Sequence, residues 1–241
     1  MDTYTAFIYA LIAGILPALL WLWFWLKEDN LHPEPRLLIF LAFIGGMISV
    51  ALVLPLQKWT LNLLDGSTIP YAVSLKYTIW AGIEEIIKLL VVYFIALRSR
   101  FLDEPVDAMI YLITAALGFA AMENAFFILK PIETGDAIQA FISGNMRFIG
   151  ATLLHVIASA SIGFCIALTF YKSKWLKKFS VFCGVILATT LHTAFNLFII
   201  ESSGMDTFKV FASVWVGVIF LLLFFEKARS IDSPKPLATT I

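Results

Sequence analysis

The sequence predicts an all-α membrane protein: a polytopic membrane helix bundle of about seven transmembrane helices. Of its 241 residues, 61% are hydrophobic, whereas soluble domains usually contain 45–50% apolar residues. The apolar residues form runs of roughly 20, the length that an α-helix needs to cross a bilayer. Polar loops separate the runs and no internal repeat is visible, so residues 1–228 are predicted to form a single transmembrane domain.

Seven runs meet this length criterion, in chain order Tyr4–Leu26, Leu37–Leu56, Tyr77–Leu97, Val106–Leu129, Phe148–Tyr171, Phe179–Ile200 and Phe208–Phe225. The first is too long for the apolar core of a signal peptide, and no small-residue cleavage site follows it, so it is predicted to be a retained helix. Residues 229–241 are polar and contain Pro234 and Pro236, which predicts a disordered cytoplasmic tail.

The distribution of Lys and Arg predicts the orientation of the bundle. Eleven of the 17 lie in the loops after the first, third and fifth runs and in the tail, five lie in the opposite loops, and Lys88 lies within a run. Because cytoplasmic loops carry the excess of Lys and Arg, the N-terminus is predicted outside and the C-terminus in the cytoplasm. The formal net charge of zero argues against a nucleic-acid partner and leaves the lipid bilayer as the main surroundings.

Polar residues on four runs fall at one predicted depth. From the charged residue that ends each run, a rise of about 1.5 Å per residue places the group about 10–14 Å inside the outer boundary. The group comprises Glu84, Glu85, Glu123, His155 and His192. Ionisable groups at membrane depth are costly, by about 3 kcal/mol each on insertion scales, and mark functional sites. The sequence therefore predicts one shared site in the outer half of the membrane.

Helical spacing adds supporting residues to this layer. Lys88 follows Glu84 by four positions and Glu85 by three, so it can pair with either carboxylate. Asn196 follows His192 by four positions and shares its face. Asn124 is adjacent to the acidic position on the fourth run. Arg147 lies at the outer boundary, where it could anchor the helix in the interface or orient His155.

Two kinds of hydrolytic chemistry suit this set. A glutamate in apolar surroundings could take a proton from water and pass it to a leaving amine, while histidine and asparagine donate hydrogen bonds to the developing oxyanion; this version requires no cofactor. Alternatively, Glu123, His155 and His192 could bind Zn²⁺, with Glu84 as the base, since three protein ligands and one water are usual at catalytic zinc. A proton- or ion-coupled transporter and a non-catalytic membrane scaffold are the competing functions.

Ordered motifs on the third to sixth runs resemble those of the PrsW intramembrane proteases, relatives of the CAAX prenyl protease and bacteriocin-processing (CPBP) group. An EExxK pattern is present as Glu84-Glu85-Ile86-Ile87-Lys88, and an FxxxE pattern as Phe119-Ala120-Ala121-Met122-Glu123. Arg147 with His155, and the stretch from His192 to Asn196, complete the set. The resemblance covers roughly residues 77–197.

The resemblance implies an intramembrane endopeptidase that cleaves single-pass membrane proteins, such as anti-sigma-factor-like regulators, near the extracytoplasmic side. It implies that Glu84 is the base and Glu85 its partner, and that His192 and Asn196 form the oxyanion hole. CAAX-type relatives have histidine at the position of Glu123, so His155 could supply the second water-activating group instead. The resemblance does not imply an oligomeric state.

Overall fold

A computed structural model describes residues 2–28, 33–64, 71–201 and 205–231. The described residues form a bundle of seven long helices, one of which is preceded by a shorter helix that runs directly into it. The helices are α1 (Thr3–Glu28), α2 (Arg36–Leu64), α3 (Ala72–Val92), α4 (Asp107–Glu133), α5 (Ala137–Met146), α6 (Thr152–Leu168), α7 (Lys174–Glu201) and α8 (Met205–Arg229). The tail predicted to be disordered lies, beyond residue 231, outside the described residues.

All seven predicted runs are helical, which confirms the all-α membrane bundle. Six helical stretches of the described chain are long and apolar enough to cross a membrane, so this is a multi-pass membrane protein. The third run does not meet that standard by composition, and it is the run that carries Glu84, Glu85 and Lys88. Several helices extend beyond the predicted runs. The largest extensions are in α2, which continues to Leu64 instead of ending at Leu56, and in the α5–α6 stretch, which begins at Ala137.

Helices α4 and α6 form the centre of the bundle. Every residue of α4 from Asp107 to Ala121 is buried, as is every residue of α6 from Thr152 to Gly163. Helices α1 and α2 pack against α4, α7 and α8 pack against α6, and α3 lies between α2 and α7. The predicted polar position of α6, His155, is therefore buried among protein, Glu123 of α4 lies just beyond the fully buried stretch, and the polar positions of α3 and α7 are brought against them.

Small residues allow the central helices to approach closely, since interfaces between membrane helices favour them. A Cβ on Gly46 of α2 would collide with the carbonyl group of Ala115, and a Cβ on Gly118 of α4 would collide with that of Phe43. Each of the two helices thus has a glycine against the backbone of the other, which allows α2 and α4 to pack closely. By contrast, Gly82 of α3 has only ordinary contact distance to its neighbour on α7.

Two π-helical turns interrupt the regular helices. One continues α3 from Tyr93 to Leu97, and the other joins α5 to α6 from Arg147 to Ala151. Such single π turns often occur at functional sites because they change the direction in which side chains point. The second turn begins at Arg147, one of the supporting residues predicted from the sequence.

An apolar layer lies beside the polar residues. Val50 and Val53 of α2 are buried against Phe119 of α4, and partly buried residues of α3 and α4 pack around them: Ile83, Ile87 and Met122. This layer fixes the registers of three helices relative to one another. It also excludes water from one side of the polar cluster.

Candidate active site

Polar side chains from α3, α4, α6 and α7 meet in one connected cluster, as their common depth predicted. Glu84, Glu85, Lys88, His155 and His192 are each at most 5% exposed. Direct hydrogen bonds across helix boundaries join all of them except Glu84, which lies beside the two histidines. A buried polar cluster of this size is tolerated only where its members satisfy one another.

Glu85 is the centre of this network. Its Oε1 atom accepts hydrogen bonds from Nζ of Lys88 at 2.6 Å and from Nδ1 of His192 at 2.9 Å. Its Oε2 atom accepts from the Ser159 hydroxyl at 2.8 Å. Both carboxylate oxygens are therefore occupied and the side chain has no exposed surface. Glu85 ties α3 to α6 and α7 and is not available to act on a substrate.

The partners of His192 fix its ring orientation. A carboxylate oxygen can only accept, so Nδ1 of His192 carries the proton that it donates to Glu85. Its Nε2 atom then has a free lone pair, which lies 3.7 Å from Oε2 of Glu84. A carboxylate that orients a histidine in this way is the arrangement found behind metal-binding histidines.

His155 is held from both sides of its ring. Lysine is a donor only, so Nδ1 of His155 accepts from Lys88 at 3.2 Å, and Nε2 donates to Glu123 at 3.0 Å. The ring packs edge-on against that of His192, with centroids 4.9 Å apart. Lys88 thus connects Glu85 to the second histidine, which the sequence had not predicted.

Arg147 is a member of the cluster and not an anchor in the membrane interface. Its guanidinium contacts Glu123, and its Nε donates to Oδ1 of Asn124 at 2.6 Å. Asn124 in turn donates to Thr152 at 2.9 Å. These contacts join the π turn before α6 to α4 and hold the Glu123 carboxylate toward His155.

Glu84 differs from the other two carboxylates. Its Oε1 accepts from the amide of Gln57 on α2 at 2.8 Å. Its Oε2 is buried and has no hydrogen-bond partner among the described residues. This oxygen lies 3.7 Å from Nε2 of His192 and 4.0 Å from Nδ1 of His155. A buried carboxylate oxygen without a partner is costly to maintain, which makes it the strongest sign of a functional atom in the cluster.

These residues fit a divalent metal ion. Glu84, His155 and His192 each offer one ligand atom within 4.8 Å of the others, and two nitrogens plus a carboxylate form a known catalytic zinc set. The cluster also contains three carboxyl groups against two basic side chains, Lys88 and Arg147, so a cation suits its charge. The predicted set with Glu123 in place of Glu84 has weaker support, because Glu123 is already bound by Arg147 and His155.

The cluster lines a cavity of about 500 Å³. Glu84, Glu123, His155, His192 and Asn196 all border it. The remaining wall is largely aromatic and aliphatic, with residues from α2 to α8 that include Tyr77, Trp80, Phe127, Phe195 and Phe211. Asn196 is half-buried and shares the cavity wall with His192.

The predicted site did not include Gln57, nor Ser159 and Thr152, which bond to Glu85 and Asn124. Gln57 follows Pro55 and lies just beyond the predicted end of the second run at Leu56. Because α2 continues to Leu64, Gln57 is helical and faces the cluster. Asp107 accepts hydrogen bonds from the backbone amides of Asp103 and Glu104 before α4. It lies 16 residues, or about 24 Å, from Glu123.

The sequence is similar to that of known proteins over most of its length. The model of the PrsW family of intramembrane metalloproteases matches residues 34–224. A Protease PrsW of Geobacillus kaustophilus is 23% identical over 230 residues, covering 94% of this chain and 92% of its own. One of Shouchella clausii is 24% identical, covering 90% and 94%, and one of Clostridioides difficile is 28% identical, covering 77% and 76%. No solved structure matches the chain.

Proposed function

Because the chain belongs to the PrsW family of intramembrane metalloproteases, we propose that its buried cluster hydrolyses a peptide bond in a single-pass, membrane-anchored protein. The observation that carries the proposal is the unpartnered Oε2 atom of Glu84, buried at a cavity and facing two histidines. Peptide hydrolysis requires an acceptor for a proton of water. Glu84 is the only carboxylate of the cluster with a buried oxygen that has no hydrogen-bond partner among the described residues.

The distribution of basic loops supports cleavage near the extracytoplasmic side. With the N-terminus outside, the parts of α3 and α4 that carry Glu84 and Glu123 lie in the outer half of the membrane. Substrates of the anti-sigma-factor type, anchored by one helix, present a peptide bond at that depth. The wall of the cavity is apolar and includes Trp80 and Phe127. Such a wall suits an apolar substrate segment at the end of a transmembrane helix.

The chain's own residues account for the proton transfers. Glu84 takes a proton from the attacking water as the water oxygen bonds to the substrate carbonyl carbon, and returns it to the nitrogen of the leaving amine as the C–N bond breaks. Asn196 donates a hydrogen bond from its amide group to the carbonyl oxygen as negative charge develops there. Glu85 keeps His192 in one tautomer, with Nε2 toward the reacting groups.

The cluster has room for the metal that the family name implies. Glu84, His155 and His192 would hold the ion, with Glu85 and Glu123 orienting the two histidines. Nδ1 of His155 would then exchange its hydrogen bond from Lys88 for the ion, and Oε2 of Glu84 would be a ligand, so the proton transfers above belong to the version without metal. A bound Zn²⁺ ion supplies Lewis-acid polarisation and lowers the pKa of water. In the version without metal, Nε2 of His192 carries a lone pair and accepts a hydrogen bond from water, and donation to the oxyanion falls to Asn196.

The test is cleavage by purified protein in lipid of a panel of single-pass membrane proteins, with fragments identified by mass spectrometry. Glu84→Gln removes the proton acceptor and is expected to lower the rate at least 100-fold, within the range of a lost general base. Asp206→Asn is the matched control, because Asp206 is exposed and its ion-pair partner among the described residues is the exposed Lys209. Cleavage that persists in Glu84→Gln would overturn the proposal. Metal content and chelator sensitivity of the wild type then separate the two versions.

A further inference from the structure

We propose that Gln57 is a positioning residue that fixes the Glu84 carboxylate, so that one oxygen is held by α2 and the other faces the two histidines. The role in catalysis rests on the proposed function, while the positioning itself can be measured without it. Gln57 lies outside the motifs that carry the family resemblance, on a helix for which the sequence predicts no chemistry.

The hydrogen bond between Gln57 and Glu84 determines which carboxylate oxygen is free. The amide Nε2 of Gln57 donates to Oε1 of Glu84 at 2.8 Å. Among the described residues this is the only hydrogen bond that Glu84 makes, since Glu85 takes those of Lys88, Ser159 and His192. Without it, the carboxyl group could rotate and present either oxygen, or neither, to the histidines.

Packing of α2 makes Gln57 suitable for this role. Val50, Val53 and Gln57 follow one another at helical spacing on one face of α2, and the two valines are buried in the apolar layer beside the cluster. Gly46, which precedes these residues in α2, is in close contact with α4 and fixes the position of the same helix. The amide of Gln57 therefore reaches Glu84 from a well-packed helix. Side chains on such helices hold the geometry of a functional site more precisely than side chains on loops.

The orientation of Glu84 matters because its free oxygen is in reach of both histidines. Oε2 lies 3.7 Å from His192 and 4.0 Å from His155, so a rotation of the carboxyl group would change both distances. Groups that orient a catalytic or metal-binding side chain typically contribute 10–100-fold to activity. The same fall in kcat is expected here when the Gln57 amide is lost.

The first measurement is independent of any substrate. The infrared difference between wild type and Glu84→Gln isolates the bands of the Glu84 carboxyl group. Gln57→Met keeps a side chain of similar length but has no donor, so these bands should shift in that background. Thr60→Val is the control, because Thr60 is buried one turn further along α2 and its hydroxyl bonds only to its own helix, at Leu56. Unchanged bands in Gln57→Met would overturn the inference whether or not cleavage is observed.

The second measurement separates positioning from substrate binding. Gln57→Met and Gln57→Glu should each lower kcat 10–100-fold with KM within about twofold, and Thr60→Val should leave both unchanged. Gln57 also borders the cavity, so a rise in KM at unchanged kcat would mean that its amide contacts substrate, which contradicts the inference. Equal kcat in wild type and Gln57→Met would also contradict it. If the wild type cleaves nothing, the proposed function fails and the infrared result alone decides the role of Gln57.

Discussion

Replacement of Glu85 by Gln should destabilise the protein more than any single loss of a hydrogen bond in the bundle. Glu85 has no exposed surface and accepts from Lys88, Ser159 and His192. Glutamine keeps the shape, but its amide nitrogen replaces an acceptor with a donor, either facing Lys88 and His192 or facing Ser159. The Lys88 side chain, also without exposed surface, would then lose its carboxylate partner.

The size of the effect follows from the separation and the burial of the pair. At 2.6 Å and an effective dielectric constant near 20, the attraction is about 6 kcal/mol before desolvation is subtracted. Breaking one side of a buried pair costs about 3–5 kcal/mol, because the remaining charge stays buried. Removing both charged groups leaves none behind, so Glu85→Gln with Lys88→Met should be less destabilising than the sum of the two single changes.

The assay is reversible unfolding in mixed micelles, by titration with a denaturing detergent, for the wild type, the two single variants and the double variant. Glu85→Gln is expected to lower the free energy of unfolding by about 3 kcal/mol or more, and the coupling free energy of the cycle should be about 1–3 kcal/mol. A loss below 1 kcal/mol in Glu85→Gln, or additive effects in the cycle, would refute the view of Glu85 as the centre of the network.

Two further predictions concern the surroundings of the cluster. Arg147→Lys keeps the charge but cannot reach both Glu123 and Asn124 with a planar fork, so cleavage should fall 10–100-fold while the unfolding transition moves little; wild-type rates would show that the two contacts do not orient the site. Gly46→Ala should lower the free energy of unfolding by about 1–3 kcal/mol or more, because the added Cβ would overlap the Ala115 carbonyl group. Gly144→Ala, where a Cβ meets nothing, should not destabilise, and equal effects of the two in the unfolding titration would contradict the close packing of α2 on α4.

The convergence of the polar residues was predictable because depth in a membrane helix follows from sequence position alone. A rise of 1.5 Å per residue from a charged boundary was enough to place Glu84 and His155 at one level. Their partners were not predictable, because depth does not give rotation about the helix axis or which helices are neighbours. The contact between Lys88 and His155, and that between Arg147 and Glu123, depend on the positions of α3, α4 and α6 around one another.

The distinction between Glu84 and Glu85 shows where the missing information lies. The two residues are adjacent, identical in type and equal in depth, so nothing in the local sequence separates their roles. Their positions differ by 100° of helical rotation, which turns Glu85 toward α6 and α7 and Glu84 toward α2 and the cavity. Helices α6 and α7 therefore fill both oxygens of Glu85, and α2 decides which oxygen of Glu84 stays unpartnered. Its contribution, Gln57, could be recognised only once the helix was seen to continue past Pro55 and to pack against α4 through Gly46.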